Sequence, residues 1–416
     1  MHVVIVGAGA AGCFCAINLK RRIPEARVTI IEKGSKPLAK VAVTGGGRCN
    51  ITNSFQEVKS IKKVYPRGDK LMKRALKAFS NTDTLQWFEN ENIEFVTQPD
   101  QCVFPKSQDA MEVVNKLVKL MSQLGVKLYS GTSVEKIIHN NDSTFSVVTS
   151  DNQDIIADKI VVTAGGKPTD DGFSFLESLN LDIISPIPSL FTFNVNDKKL
   201  HELMGTVVDP VSARIVGTSY GSEGALLITH WGLSGPAVLK LSSYAARHLS
   251  DNNYKSEVCI NWFGNMKEHE VMALLMEIQV QNQQKQIGNV WPNTPVNPNA
   301  DTNKMFTITQ NLWTYLLDKV GLPPQKRWQE VGSKQMNRLA SLLTNDIYSI
   351  TGKGKFKDEF VTCGGVALSN IDINTMESKN HPGLFFAGEI LDVDAITGGF
   401  NLQAAWSMGY IVSQSI

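Results

Sequence analysis

The chain has 416 residues, with 42% hydrophobic and 19% charged residues, 41 Lys+Arg against 40 Asp+Glu, and a net charge of +1. That length suits two or three domains with a sizeable core, and that balance excludes both a disordered chain and a basic protein built throughout to bind nucleic acid. A local basic patch is left open.

Residues 2–6 (HVVIV) read as a short buried strand, and Gly7-Ala8-Gly9-Ala10-Ala11-Gly12 follows at once. A helix is predicted over 10–22, ending in Lys20, Arg21 and Arg22, and RVTII at 27–31 is a second strand leading to Glu32. This is a complete βαβ unit with Gly7-x-Gly9-x-x-Gly12 between strand and helix. Each part has a task. Gly7 permits the tight turn, Gly9 lets a pyrophosphate reach the backbone, and Gly12 lets the helix pack on the strand. The helix N–H groups, those of Ala10 and Ala11 among them, meet phosphate charge. Glu32, 20 residues past Gly12, is placed to accept ribose hydroxyls and to repel a 2′-phosphate; Lys33 follows it.

Residues 40–53 (KVAVTGGGRCNITN) read as a Gly-rich loop without helix or strand period. Helices are expected near 69–80, 82–92 and 109–124, the last with Val113, Val114, Leu117, Leu120, Met121 and Leu124 on one face. Strands follow near 126–129, 133–138 and 144–149, then KIVVT at 159–163 running into Ala164-Gly165-Gly166. Ser185-Pro186-Ile187-Pro188 looks like a boundary. Beyond it lie β-rich runs at 190–195, 206–208, 211–217, 225–229 and 256–263, with a helix from Ser234 to about 249. Helices return over 267–283, 308–320 and 335–343, and 284–304 is an Asn- and Pro-rich stretch that reads as a long surface loop without an evident role. Residues 346–361 alternate like strand, and the tail is strand (GLFFAGE, 383–389), Gly-rich loop, then helix.

The first fingerprint does not separate FAD from NAD; the tail favours FAD. A late strand ending in Gly388-Glu389 returns to the nucleotide domain in FAD enzymes of the glutathione-reductase type, with the acid on a ribityl or ribose hydroxyl. The helix after Gly398-Gly399-Phe400-Asn401 would aim its positive N-terminus at the flavin pyrimidine edge and favour the reduced, anionic ring. Ala164, Gly165 and Gly166 would lie under the adenylate half, and Ser133 and Val134 would offer main-chain hydrogen bonds to adenine.

TGGGRCNITN (44–53), THWGLSGPAVL (229–239) and GEILDVDAITGGFNLQAAWSMG (388–409), with the N-terminal GAGAAG, resemble the BaiN/YhiN-like flavoproteins, the aminoacetone-oxidase-like family of NAD(P)/FAD-dependent oxidoreductases. The resemblance spans nearly the whole chain. It implies an α/β fold: a Rossmann-like FAD-binding domain from 1–187 and 359–416, an inserted β-barrel-like domain from 188–266 and 345–358, and a small helical insert from 267–344. Gly45, Gly46, Gly47, Arg48, Cys49 and Asn50 would line the isoalloxazine, since successive glycines let N–H groups approach a planar ring. Arg48 would bond the pyrophosphate or fix the loop. Lys40 would reach a phosphate or the flavin, and Asp392 and Asp394 would hold the ribityl or its loop or else serve as turn residues. Two residues are candidates for chemistry: Cys49, more readily a packing or flavin contact than a nucleophile, and His230, either a proton-transfer group or a hydrogen-bonded core histidine.

The expected activity is FAD-dependent hydride transfer between a small organic substrate, or NAD(P)H, and the flavin. No second GxGxxG follows a strand and no CxxxxC pair is present, so NAD(P)H would visit the flavin without a domain of its own. Alternatives are a flavoprotein acting in RNA modification or as a redox-sensing module, and a plain NAD dehydrogenase. A basic patch beside the flavin, with stacking aromatics, would mark the RNA case. Six scattered Cys without zinc-type spacing, no signal peptide and no apolar run of spanning length lead to the expectation of a cytoplasmic protein with a small-molecule substrate, no metal, no nucleic acid and no membrane; oligomeric state is left open.

Overall fold

The computed structural model describes residues 1–167, 169–292, 308–354 and 361–416. It divides into two compact units, Met1–Pro188 with Asp358–Ile416, and Ser189–Lys357.

The first unit is built on a five-stranded parallel sheet. Its strands are β1 (His2–Val6), β2 (Arg27–Glu32), β3 (Lys127–Ser130), β4 (Lys159–Val162) and β5 (Leu384–Phe386), in the order β5-β4-β1-β2-β3. Val3, Val4 and Ile5 of β1 and Ile160, Val161 and Val162 of β4 are wholly buried, as strands covered on both faces must be. The helices that matter to the site are α1 (Ala10–Arg22), α2 (Ala39–Gly47), α3 (Ala110–Gln123) and α4 (Phe400–Ser415). α1 packs along α4: a Cβ on Gly409 would lie 2.7 Å from the Ala11 carbonyl oxygen, and the Phe14 and Trp406 rings meet at 5.3 Å. Thus the sheet's middle strand and its edge strand come from opposite ends of the chain, and so do the two helices that cover it.

Residues 39–47 are largely helical rather than loop, interrupted at Thr44, Gly45 and Gly46, where backbone angles leave the helix; β structure resumes at Thr52–Asn53. The boundary expected at Ser185–Pro188 agrees with the division of the chain at Pro188 and Ser189, and it lies within a strand, Ile183–Ser189, which pairs with Val361–Val366. A 3₁₀ helix over Asp170–Leu179 and a third strand, Asp154–Ala157, beside the 134–149 hairpin were not anticipated. In that hairpin, His139 stacks on Phe145 and shares an Nδ1···Nδ1 contact of 3.2 Å with His381, whose Nε2 bonds the Leu179 carbonyl at 2.8 Å.

The second unit holds a closed six-stranded barrel ordered 193–195, 232–234, 221–229, 207–215, 256–261 and 346–353. The two runs expected at 206–208 and 211–217 are one strand whose register shifts between Val208 and Val211. Helices Glu268–Gln281, Gln310–Lys319 and Ser333–Thr344 accompany the barrel. Helix Gln310–Lys319 is tied to it by polar contacts. Asp346, wholly buried, pairs with Lys319 and accepts from Trp262 Nε1 at 3.0 Å and from the Tyr348 hydroxyl at 2.5 Å, while Tyr315 donates to Asp197 at 2.8 Å. A buried acid with a cation and two donors escapes most of the penalty of desolvation. Of the stretch 284–304, residues 284–292 pack beside 324–328, with Ile287 N–H on Lys326 O and Gly288 N–H on Pro324 O; residues 293–304 lie outside the described residues. Among the described residues no helix is long and apolar enough to cross a membrane, and no group of three His, Cys, Asp or Glu is arranged for a metal ion.

Candidate functional site: a nucleotide cleft built from both chain ends

β1 delivers the chain into Gly7, whose φ of +102° suits glycine, and a Cβ there would sit 2.5 Å from the Thr163 carbonyl. A Cβ on Gly12 would lie 2.2 Å from Gly7 O and 2.5 Å from Thr163 Oγ1, so α1 can seat against β1 and β4 only because position 12 has none. A Cβ on Gly9 would meet nothing within 4 Å. The loop is therefore crowded on its protein side and open on the side where a phosphate would lie. α1 starts there, and its first-turn N–H groups, including those of Ala10 and Ala11, have no acceptor within the helix.

Glu32, ending β2, accepts from Ala8 N–H at 2.7 Å and from Gly34 N–H at 2.6 Å. It braces the Gly loop, and each oxygen keeps capacity for a further donor. β4 brings Thr163, Ala164, Gly165 and Gly166 alongside: Ala164 Cα is 2.9 Å from the place a Gly7 Cβ would take. β5 ends at Gly388, where a Cβ would lie 3.2 Å from Ala11 Cβ. Glu389 accepts from Thr362 N–H at 2.7 Å and pairs with Lys40 Nζ at 3.0 Å.

Lys167, one residue past Gly166, packs beneath Gly172 and over the Phe175 ring. Burial lowers its pKa first and the charges of Lys33 and Lys40 lower it further, while Glu32 and Glu389 oppose them. The charges of Lys33 and Lys40 thus act on Lys167, and an anion near them would oppose that repulsion.

On the other side, Arg48 takes the loop-fixing option. Its guanidinium lies 4.3 Å over the Phe104 ring and donates to Gly45 O at 3.0 Å and to Gln108 Oε1 at 3.4 Å. Gly46 and Gly47 have open space where a Cβ would be. Cys49 is fully buried and its thiol is pushed up to about 12 by burial, so it is a protonated packing group at neutral pH rather than a thiolate nucleophile. Asn50 bonds both ways, donating to Thr52 O at 2.9 Å and accepting from Gly399 N–H at 3.1 Å. Asn53 donates to Gly398 O at 3.1 Å, and Asn401 closes its own loop by accepting from Ala395 N–H at 2.9 Å and donating to Ala395 O at 3.0 Å. Phe400 is held through its carbonyl by the Tyr65 hydroxyl at 2.8 Å. Asp392 is fixed through its N–H on Val366 O at 3.0 Å.

Residues that the sequence reading missed complete this frame. Thr52 donates to Gln403 Oε1 at 2.6 Å, and Gln403 donates to Thr84 Oγ1 and Ser407 Oγ at 2.9 and 3.0 Å; all four are buried. Arg67 pairs with buried Asp394, a residue the sequence reading had set beside Asp392 in this loop. Spacing does not mark the Thr52–Gln403, Gln403–Thr84 or Arg67–Asp394 contacts, because the partners lie more than 300 residues apart. Three expected residues lie in other elements. Ser133 has its N–H on Ser150 Oγ and its carbonyl on Ser150 N–H, and Val134 pairs with Thr149, so Ser133's main-chain groups are engaged within the hairpin rather than held out to adenine. His230 belongs to the barrel unit, exposed on the turn between 221–229 and 232–234, its ring centroid 4.0 Å from that of Trp231.

The family model described as HI0933-like protein Rossmann domain matches residues 1–415. The 3-dehydro-bile acid delta(4,6)-reductase of Clostridium scindens is 26% identical, covering 100% of this chain and 98% of its own. The ribosomal RNA dihydrouridine synthase of Escherichia coli is 26% identical over 99% of this chain and 97% of its own, and that of Haemophilus influenzae 27% over 99% and 98%. Among solved structures, 3-ketosteroid delta1-dehydrogenase from Sterolibacterium denitrificans aligns at 12% identity over 99% of this chain and 98% of that one, with a TM-score of 0.48. The chain belongs to the HI0933-like protein Rossmann domain family.

Proposed function

We propose that the chain binds one FAD in the first unit and uses it, with NAD(P)H as donor, to reduce a carbon–carbon double bond conjugated to a carbonyl. The observation that carries this reading is the junction of the chain ends: Gly388 and Gly409 both meet Ala11, beside space left open over Gly9. The N–H groups at the start of α1, with Lys33, Lys40 and Lys167, would hold the pyrophosphate; Glu32 and Glu389 would take ribose and ribityl hydroxyls. Gly45, Gly46, Gly47 and Asn50 would border the ring, with the N-terminus of α4 toward its pyrimidine edge. Bound FAD would supply hydride chemistry to such a double bond, while the residues named here would hold and orient it. The relatives support the reaction class: one is named a delta(4,6)-reductase and two are named dihydrouridine synthases, and each name describes hydrogen added to a double bond.

A redox-sensing role has little support. All six cysteines are buried, and burial pushes the Cys13, Cys15 and Cys49 thiols up. The test is spectroscopic. Purified protein should be yellow and bleach anaerobically with NADH or NADPH, then recover colour on adding an enone. Glu32→Ala and Lys167→Met should each weaken FAD binding about tenfold, as expected when one charge-assisted hydrogen bond of about 1.4 kcal/mol is removed, and Lys167→Arg should bind nearly as wild type. Colourless protein that ignores added FAD refutes the reading.

A further inference from the structure

The loop 393–400, which leads into α4, is gripped from one side by the run Val64–Gly68, between the helices Ile61–Val64 and Asp69–Ala78. Val64 O accepts from Ile396 N–H at 2.9 Å, and the Tyr65 hydroxyl donates to Phe400 O at 2.8 Å. Arg67 holds both oxygens of Asp394, Nε on Oδ1 and Nη2 on Oδ2, and the two backbones form an antiparallel bridge there. A Cβ on Gly68 would lie 2.5 Å from Val393 Cγ2, so the run closes on the loop only because position 68 has none. From the other side, Asn50 accepts from Gly399 N–H and Asn53 donates to Gly398 O.

Packing alone does not account for this grip. Tyr65 is wholly buried, and Phe there would fill the same space without needing a partner for a hydroxyl. The carbonyl it reaches belongs to the first residue of α4, which the helix can itself satisfy from four residues on. Burial pushes the Tyr65 pKa up, so the hydroxyl stays a donor at every working pH. The side chain of Asp394 is fully buried and that of Arg67 nearly so. A buried ion pair stabilises a fold poorly compared with apolar packing, whereas its two-pronged geometry fixes direction. What the grip fixes is the start of α4, whose first-turn N–H groups have no acceptor within the helix.

We infer that Tyr65 and Arg67 are positioning residues that set the reduction potential of the bound flavin, by holding the N-terminus of α4 at its pyrimidine edge. This rests on the FAD reading and goes beyond it, since neither residue is placed against the cofactor. Hydride brings two electrons and one proton, so a bound flavin that accepts it gains one negative charge. A helix N-terminus favours that charge only at close range, within about a turn. A loop that shifts by a fraction of an ångström therefore changes the preference for reduced over oxidised FAD.

The experiment measures the midpoint potential of the FAD-loaded protein by anaerobic titration against a redox dye, with the melting temperature beside it. Tyr65→Phe removes one hydrogen bond and no charge, and should weaken the preference for reduced FAD about threefold. Arg67→Met/Asp394→Asn removes the pair without stranding a buried charge, and should weaken it about tenfold. For a two-electron couple these are potentials lower by about 14 and about 30 mV. Arg67→Lys keeps the charge but not the fork, and should fall between wild type and that double variant. As a control, Ser178→Ala removes a hydroxyl bonded to Ile137 O elsewhere in the first unit. It should melt lower and keep the wild-type potential. Wild-type potentials in Tyr65→Phe and in Arg67→Met/Asp394→Asn, whatever their melting temperatures, overturn the inference and leave the run a structural staple. An equal shift in Ser178→Ala overturns it too. Wild-type protein that stays colourless with added FAD sinks the FAD reading and this inference with it; yellow protein with unshifted variants sinks this inference alone.

Discussion

Gly409 is the position at which the ends of the chain depend on one another most directly. Its helical neighbours give no reason for glycine, and Ala in its place gains about 1 kcal/mol of helix propensity. Against that, the new Cβ would lie 2.7 Å from the Ala11 carbonyl oxygen and 3.4 Å from Ala11 Cα. Moving that oxygen contact out to ordinary van der Waals range means parting α1 and α4 by several tenths of an ångström along a seam that includes Phe14 and Trp406. Overpacking of this kind costs about 1–3 kcal/mol. The net loss for Gly409→Ala is about 1 kcal/mol. For Gly409→Val, with two more carbons and little propensity gain, it is about 3 kcal/mol. For a unit of this size each kcal/mol lowers the melting temperature by about 2–4 °C, so falls of about 3 °C and about 9 °C are expected by calorimetry. FAD affinity should drop in the same order, because Ala11 belongs to the turn whose N–H groups would meet the pyrophosphate. If Gly409→Ala melts at or above the wild-type temperature and binds FAD equally well, the close seam between α1 and α4 is not what assembles the cleft.

Two further outcomes follow from the chemistry of buried groups. Cys49→Ala should keep at least half of the wild-type rate of flavin reoxidation by an enone, and Cys49 should resist thiol reagents in folded protein; rapid labelling, or a thousandfold loss, would return it to the chemistry. Burial and then His381 lower the His139 pKa below its ordinary 6.5. The unfolded chain therefore binds more protons than the folded one as pH falls, and the stability this pair contributes is whole above about pH 6.5 and lost as pH drops through that value. Proton NMR of the imidazole signals should show His139 titrating below 6.5; a value above it would mean that the 3.2 Å contact with His381 does not persist in solution.

Much of the frame around the proposed cleft was legible because its signals are local. Gly7, Gly9, Gly12 and Glu32 sit within one βαβ unit, and strand, turn and helix each announce themselves within a few residues. Gly388 and Glu389 were legible by the same logic at the far end. Residues 39–47 misled because a helix interrupted at Thr44 to Gly46 has too few regular turns to show a period. Ser185 to Pro188 marked the division between the two units, while its two prolines hid the strand that runs through it, since strands at an edge tolerate proline. The Thr52–Gln403–Thr84–Ser407 network and the partner of Asp394, Arg67, were out of reach, since folding alone brings such distant residues together.

Because β1 is flanked by β4 and β4 by β5, the central sheet is completed by the last tenth of the polypeptide. A nascent chain that has emerged as far as residue 380 still lacks the strand beside β4 and the helix that covers Phe14. Its core is wet and its cofactor loop has no opposite wall. Removing residues 384–416 would thus take away far more than the residues deleted, because the strand beside β4 and the helix packed on α1 go together.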